Sequence, residues 1–416
     1  MGKVRSVKVK KLKESVPVYD ITVEKYHNFA VGKNKNIVHN CEYLHGDISG
    51  SIVSMAKNFA GTNNIPLLTR EGNFGTRFKP EASANRYIFT AKENIFEKIF
   101  NKVDNNILIH QEFEGTKIEP RFYVPALPMI LINGSEGIAT GFAQKILPRN
   151  PETILEWLKS YENSDTVPDL VPYFNGFDGI IEKGDSENQW LIKGTFERTS
   201  GTRIIITELP IGYNLTSYTK VLDDLEDKKI IRSYTDLSEN DTFKFEVVME
   251  SKILKSDDET ILNKLKLIKK VTENFTVMNE NNRVVIYTSP EEVIKHYIRV
   301  KEEYLQKRKD YLIKSITDEL HTLASKCLFI KNVNEEQILV NKKKKADIIA
   351  QLEPFDKIIE VDGSYDYLLR MPIYSITEGK MQEFLDQIEI KRKEIVKIRD
   401  ESIQETWFAE LNSLGI

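Results

Sequence analysis

Two groups of residues in this chain have the types and spacing to break and remake bonds. The first is His39-Asn40-Cys41. An asparagine side-chain amide can attack its own main-chain carbonyl, closing a succinimide and releasing the chain that follows. A histidine just before it is placed as a general acid. A cysteine just after it supplies a thiol that accepts an acyl group through its thiolate. Upstream, Val18-Tyr19-Asp20-Ile21-Thr22-Val23 alternates and is rich in β-branched residues, as strands are. In Tyr26-His27-Asn28-Phe29, His27 is a second proton donor able to reach back to the junction. The second group is Arg86-Tyr87. A phenol ionises near ~10 and is a weak nucleophile at neutral pH without help. The neighbouring guanidinium can favour the phenolate and hold the non-bridging oxygens of a phosphodiester under attack. Attack by Tyr87 would exchange one phosphate ester for another, so the break could be resealed. Of the 17 tyrosines, most are expected to be packing residues; the adjacent arginine sets Tyr87 apart.

Short blocks surround that tyrosine, the first and last of them rich in glycine. They are Glu71-Gly72-Asn73-Phe74-Gly75-Thr76-Arg77, then Ala82-Ser83-Ala84-Asn85-Arg86-Tyr87, and later Asn133-Gly134-Ser135-Glu136-Gly137-Ile138-Ala139-Thr140-Gly141. Glycines there permit tight turns and close backbone approach. Lys57, Arg70, Arg77 and Lys79 are candidate phosphate contacts. Ile138 is an apolar residue in a segment where it can project outward. His45, in Tyr43-Leu44-His45-Gly46-Asp47, is a lone histidine. There is no cluster of Asp and Glu with metal-ligand spacing and no phosphate-cradling ATP loop.

The elements that must position these residues fall into regions of different texture. Residues 151–288 alternate short strands, expected at 179–181, 203–207, 243–249 and 283–287, with helices expected at 151–161 and 216–226. Residues 289–416 change character. Ser289-Pro290-Glu291-Glu292 predicts a helix start, with Ser as cap and Glu292 closing a capping box. Tyr297, Tyr304 and Tyr311 recur every seven residues, as do Ile298, Leu305 and Leu312; Ile316, Leu320 and Leu323 continue the stripe. A second long helix is expected from Met381 through Phe384, Ile388, Ile395 and Ile398. The pattern predicts an antiparallel coiled coil with a small globular tip at 340–377.

Net charge is −4 over 416 residues. Residues 1–40 carry +6 of charge, leaving −10 on the remainder. A basic fragment of that kind is steered to an acidic partner. The hydrophobic fraction of 40% supports real cores. No apolar run approaches ~20 residues, so no membrane partner is expected. Cys41 and Cys327 are the only cysteines, which excludes a disulfide scaffold and fits a cytoplasmic protein.

Residues 1–40 resemble the C-terminal splicing motif of inteins. The upstream nucleophile and Thr-x-x-His motif are absent, so the resemblance is to the C-terminal piece of a split intein. It implies trans-splicing with an N-intein fragment that carries an N-extein, using His27, His39, Asn40 and Cys41. The blocks at 43–59, 71–77, 82–87 and 133–150, with Ile206-Thr207-Glu208-Leu209-Pro210 and Leu368-Leu369-Arg370-Met371-Pro372, resemble the breakage–reunion subunit of type IIA DNA topoisomerases. That is the family of gyrase A and eukaryotic topoisomerase II. The short length after the tyrosine resembles the medium subunit of T-even phage enzymes, which implies the cytoplasm of a host cell.

The resemblance implies an α+β fold. The intein strands at 1–40 would precede a winged-helix-type cleavage domain at 41–150, lacking its N-terminal part. A tower domain at 151–288 and the coiled coil with its dimerisation tip at 289–416 would follow. It implies Tyr87 as nucleophile, Arg86 and His45 at the scissile phosphate, and Ile138 as a wedge into the base stack. It further implies double-stranded DNA as substrate, a homodimer, and ATPase and TOPRIM subunits bringing ATP and Mg²⁺. Between Asp47 and Ser51 the chain is about two residues shorter than relatives, which bears on the local helix start. Two other readings fit the coiled coil: a non-enzymatic DNA-bridging protein, and a scaffold whose only chemistry is splicing.

Overall fold

The strand Arg203–Glu208 shows how the first half of the molecule is built. Its residues alternate, so Ile204, Ile206 and Glu208 face inward and their neighbours outward. The computed structural model describes residues 28–31, 36–39, 48–113, 115–139, 141–161 and 167–416. His27, Asn40, Cys41, His45 and the expected strand at 18–23 lie outside the described residues. His39 is described in its backbone alone, as the last residue of a hairpin in which Asn28–Val31 pairs antiparallel with Asn36–His39, Asn28 opposite His39.

The chain divides into two compact units. It leaves the first after Phe96, contributes Glu97–Leu127 to the second, returns for Pro128–Ile294, and completes the second with Lys295–Ile416.

In the first unit an antiparallel sheet runs in the order Ser233–Asp236, Phe245–Val248, Arg203–Glu208, Thr195–Ser200. The helix Leu215–Asp227 lies on it, started by a reciprocal capping box between Asn214 and Ser217. Tyr218, Leu222 and Leu225 recur at helical spacing and face the sheet. With Ile204, Ile206, Phe245 and Val247 they form one apolar core. A smaller sheet, in the order Ile268–Thr272, Gln189–Lys193, Ile180–Lys183, covers Leu147 and Phe174 with Trp190 and Ile192. Under it lies a buried ion pair, Arg149 Nη2 to Glu273 Oε2 at 2.7 Å. Trp190 Nε1 donates to the same carboxylate at 2.8 Å and the Leu147 amide at 2.7 Å. Every oxygen of Glu273 is thereby hydrogen-bonded, which is what lets the charge be buried.

The second unit is dominated by the 45-residue helix Pro290–Asn334. Its start departs from the expected box in one detail: Glu292 Oε2 accepts from the amide of Thr288, at 2.7 Å, one residue earlier than the box requires. The helix Glu378–Asp400 packs against its distal half. Leu323, Cys327 and Ile330 bury against Phe384 and Ile388. Contacts run in reverse order, Cys327 beside Met381, Glu319 paired with Lys391, and Lys309 Nζ on the carbonyl of Arg399 at 2.8 Å, so the two helices are antiparallel.

The sevenfold tyrosine stripe has another partner. Tyr304 packs with Leu108, Val124 and Phe122, and Tyr297 donates its hydroxyl to the Pro125 carbonyl at 2.8 Å. The proximal part of the long helix therefore covers residues 97–127, not the second long helix. A four-charge cluster locks that base: Arg308 grips Asp104 through two bonds of 2.6 Å and also pairs with Glu410, whose other oxygen lies 3.2 Å from Lys301. At the far end Phe329, Ile338, Leu352, Ile358 and Leu368 form a separate small core. Among the described residues no helix is long and apolar enough to cross a membrane.

Candidate active site

Residues 71–89 form a closed excursion from the first unit. Its base is an antiparallel bridge in which Glu71 and Phe89 exchange both backbone bonds, at 3.0 and 2.9 Å. Above the base, the Ser83 amide donates to the Asn73 carbonyl at 3.0 Å, and the Thr76 amide to the Lys79 carbonyl at 2.9 Å closes the tip. Gly75, at φ +91°, sits so close to Pro80 that a Cβ would meet its carbonyl oxygen at 2.5 Å. The return arm carries the 3₁₀ turn Asn85–Tyr87.

Tyr87 stands on that turn with 63% of its surface exposed. The Arg86 guanidinium lies over its ring, 4.8 Å from the centroid. The phenol is open to solvent, with the Arg86 guanidinium beside it.

The expected phosphate contacts separate into two groups. Lys57 stands beside the excursion, its Nζ donating to the Pro80 carbonyl at 2.7 Å. Lys79 is exposed at the tip, and Arg70 is exposed with a bond to the Asn58 side chain. Arg77 departs from its expected role. It is 7% exposed and turned inward. Its Nη2 reaches Glu208 Oε1 at 3.1 Å and the Leu209 carbonyl at 2.7 Å, and its guanidinium lies against Phe177 and Phe243. Burial lowers the pKa of Arg77, against the opposing pull of Glu208 and Asp178. Burial raises that of Glu208, against Arg77. Glu208, quoted from the sequence only within the 206–210 block, is the buried partner that motif reading did not assign to Arg77. The signal was present: alternation puts it on the same face as Ile204 and Ile206, and a carboxylate facing a core must find a cation.

Ile138 lies in the strand Ser135–Ala139, paired antiparallel with Phe142–Ile146. It is 92% exposed, with its backbone partner at Ala143. The hairpin is braced at its root. Asn133 and Ile65 exchange two bonds of 2.9 Å, and Asn64 Nδ2 donates to the carbonyls of Ile132, Arg149 and Tyr173. Among the described residues no three His, Cys, Asp or Glu side chains come together to hold a metal ion. The described residues do not fit one.

The family model for the A subunits of DNA gyrase and topoisomerase IV matches residues 26–412. The chain belongs to this family. It is 31% identical to the DNA topoisomerase medium subunit of Enterobacteria phage T4, over 85% of this chain and 79% of that one. It is 30% identical to the mitochondrial DNA topoisomerase 2 of Dictyostelium discoideum, over 89% of this chain and 30% of that one. The chain spans about a third or less of the eukaryotic relatives it matches. The solved DNA-binding, cleavage and re-ligation domain of Plasmodium falciparum topoisomerase II superposes with a TM-score of 0.80 at 31% identity, over 90% of this chain and 55% of that one. The match begins 15 residues before Cys41 and so overlaps the end of the segment that resembles an intein.

Proposed function

We propose that residues 41–416 are the DNA-cleaving subunit of an ATP-dependent type IIA topoisomerase, with Tyr87 as nucleophile. The observation that carries this reading is the exposed Tyr87 under Arg86, on an excursion pinned at its base, in a chain of the gyrase A family. The Tyr87 oxygen attacks a backbone phosphorus. A phosphotyrosyl ester forms at the 5′ end, the bond to the 3′ oxygen breaks, and that oxygen takes up a proton. Return attack by the 3′ hydroxyl reverses the exchange. Arg86 holds the phosphate oxygens; His45 is assigned to the same phosphate. Lys57, Lys79 and Arg70 follow the DNA backbone, and Ile138 wedges into the stack and bends the duplex. Two subunits, joined through the tip at 340–377 of an antiparallel coiled coil, each cut one strand. Partner subunits supply ATP hydrolysis and the Mg²⁺ site. The test is covalent trapping on DNA in the assembled enzyme. Wild type yields a denaturant-stable protein–DNA adduct, and Tyr87→Phe yields none while binding DNA normally. An adduct surviving that change would remove Tyr87 from the role.

We further propose that residues 1–40 are a split-intein C-terminal piece that is removed by trans-splicing at Cys41. Its support is the sequence of the junction and the hairpin register that sets Asn28 opposite His39.

A further inference from the structure

We propose that Arg77 is a positioning residue for Tyr87: it fixes the tip of the 71–89 excursion to the end of the strand Arg203–Glu208. The inference rests on Tyr87 being the nucleophile, as proposed above.

The exposed Tyr87 side chain gains little placement from packing of its own. Its position is inherited from the backbone on which it stands. That backbone is held at the base by Glu71 and Phe89 and along its length by the buried Phe74 and the Lys57 bond to the Pro80 carbonyl. The tip at 76–79 is about 10 residues from Tyr87 along the chain and needs a hold of its own, because a tether at one end leaves the other free to swing. Arg77 supplies it. One guanidinium nitrogen bonds both Glu208 Oε1 and the Leu209 carbonyl, and the plane lies 5.3 Å from the Phe243 centroid and 5.8 Å from that of Phe177. Phe78 follows it inward, 5.0 Å from Phe243. Glu208 is fixed in turn: its Oε1 accepts from the Leu209 amide at 2.7 Å and its Oε2 from the Asp178 amide at 3.2 Å. The bonds at Asn73–Ser83 and Thr76–Lys79 make the two arms between tip and base one ladder, so a shift at the tip reaches the turn Asn85–Tyr87.

Stability and positioning separate in a series of three variants. Arg77→Met removes the anchor and leaves Glu208 as an uncompensated buried charge, so it loses melting temperature. Arg77→Met with Glu208→Gln removes the anchor but no longer buries a lone charge; an amide oxygen still accepts from the Leu209 amide. Replacing both members of a buried pair is often close to neutral, so this variant regains most of the lost melting temperature. Glu208→Gln alone keeps the bond from Arg77 to the Leu209 carbonyl.

Two readouts decide. In the full chain, hydrogen exchange of the amides of Ser83, Tyr87 and Phe89 is expected to quicken at least about tenfold in both Arg77→Met variants and to stay near wild type in Glu208→Gln. In the assembled enzyme, cleavage at saturating DNA is expected to slow on the order of 100-fold in the same two variants, with DNA affinity unchanged, as misplacement of a reacting group predicts. If the double variant recovers wild-type exchange and cleavage along with its melting temperature, the pair only stabilises the fold and the proposal fails. If exchange quickens as stated but wild type itself forms no adduct, it is the assignment of Tyr87 that falls.

Discussion

Gly72 lies directly under the main chain of Tyr87: a Cβ built on Gly72 would meet the Tyr87 carbonyl oxygen at 2.6 Å and the Ile88 side chain at 3.3 Å. The glycine is also at φ +97°, where side chains are strained whatever the space around them. Two outward arms of the excursion thus touch backbone to backbone beside Tyr87. Gly72→Ala must push the turn Asn85–Tyr87 aside. The expected cost is about 1–3 kcal/mol from the backbone strain. DNA cleavage should fall far more than this loss of folded protein explains. A melting curve and an adduct assay on the same preparation check it. Wild-type cleavage in Gly72→Ala would mean that the close approach does not set the place of Tyr87.

Much of the framework was open to sequence reading, because local rules decide it. The strand Arg203–Glu208 and the helix Pro151–Ser160 fall within one residue of expectation. The long helix begins at Pro290 as its Ser-Pro-Glu-Glu start requires. What the sequence hid is long-range. Nothing local says that residues 97–127 pack with the long helices, so the heptad tyrosines read as a coiled-coil stripe when Tyr297 and Tyr304 cover that segment. Arg77 sits among Gly, Asn and Lys, a composition that reads as solvated loop. Its burial follows from Glu208, 131 residues away, and only the alternation of Ile204, Ile206 and Glu208 carries a hint of it. Lys301 and Arg308 look like solvent-facing charges on an amphipathic helix, yet both are buried where Asp104 and Glu410 meet them.

Ile138 projects from its hairpin and contributes no core burial. Ile138→Ala should leave stability within about 0.5 kcal/mol of wild type, as exposed substitutions do. Its effect should appear on the DNA. A wedge unstacks a base step at a cost of a few kcal/mol and gains contacts from the bend. The variant is expected to bind DNA with modestly lower affinity and to bend it clearly less, read by energy transfer between dyes at the ends of a short duplex. Equal bending by both proteins would show that Ile138 is not the wedge.

The charge cluster at the base of the long helix predicts a pH dependence. Burial acts to raise the Glu410 pKa, but Lys301 and Arg308 outweigh it and hold the carboxyl below its ordinary value. A depressed carboxylate pKa contributes stability that is present above the unfolded pKa, near ~4.3 for glutamate. That stability is lost as pH falls through the lower folded pKa. Glu410→Gln removes the term and leaves Lys301 and part of Arg308 without a partner, which costs about 3 kcal/mol for a buried pair. The gap in denaturation free energy between wild type and variant should hold steady from pH 7 to about 5 and close as pH falls below about 4. A gap that widens toward acid would reverse the sign and contradict the pairing.

The junction at Asn40 makes the remaining prediction, and it concerns covalent change in the chain. If residues 1–40 are an intein piece, mixing the chain with its N-intein partner should give two products: a spliced chain beginning upstream of Cys41, and a released fragment ending in a succinimide at Asn40. Asn40→Ala cannot cyclise. Acyl transfer to the Cys41 thiol can still occur, so a branched thioester-linked intermediate should accumulate, with release blocked; His39→Ala should slow the same step by removing its general acid. Mass spectrometry of the mixture reads both outcomes. The +6 charge of the fragment adds a second constraint. Association should be fastest with an acidic N-intein and should slow with added salt, because opposite charges steer encounter and salt screens them. Release of residues 1–40 from the Asn40→Ala chain, or a strongly basic partner that splices equally well in high salt, would count against the intein reading while leaving Tyr87 and its excursion untouched.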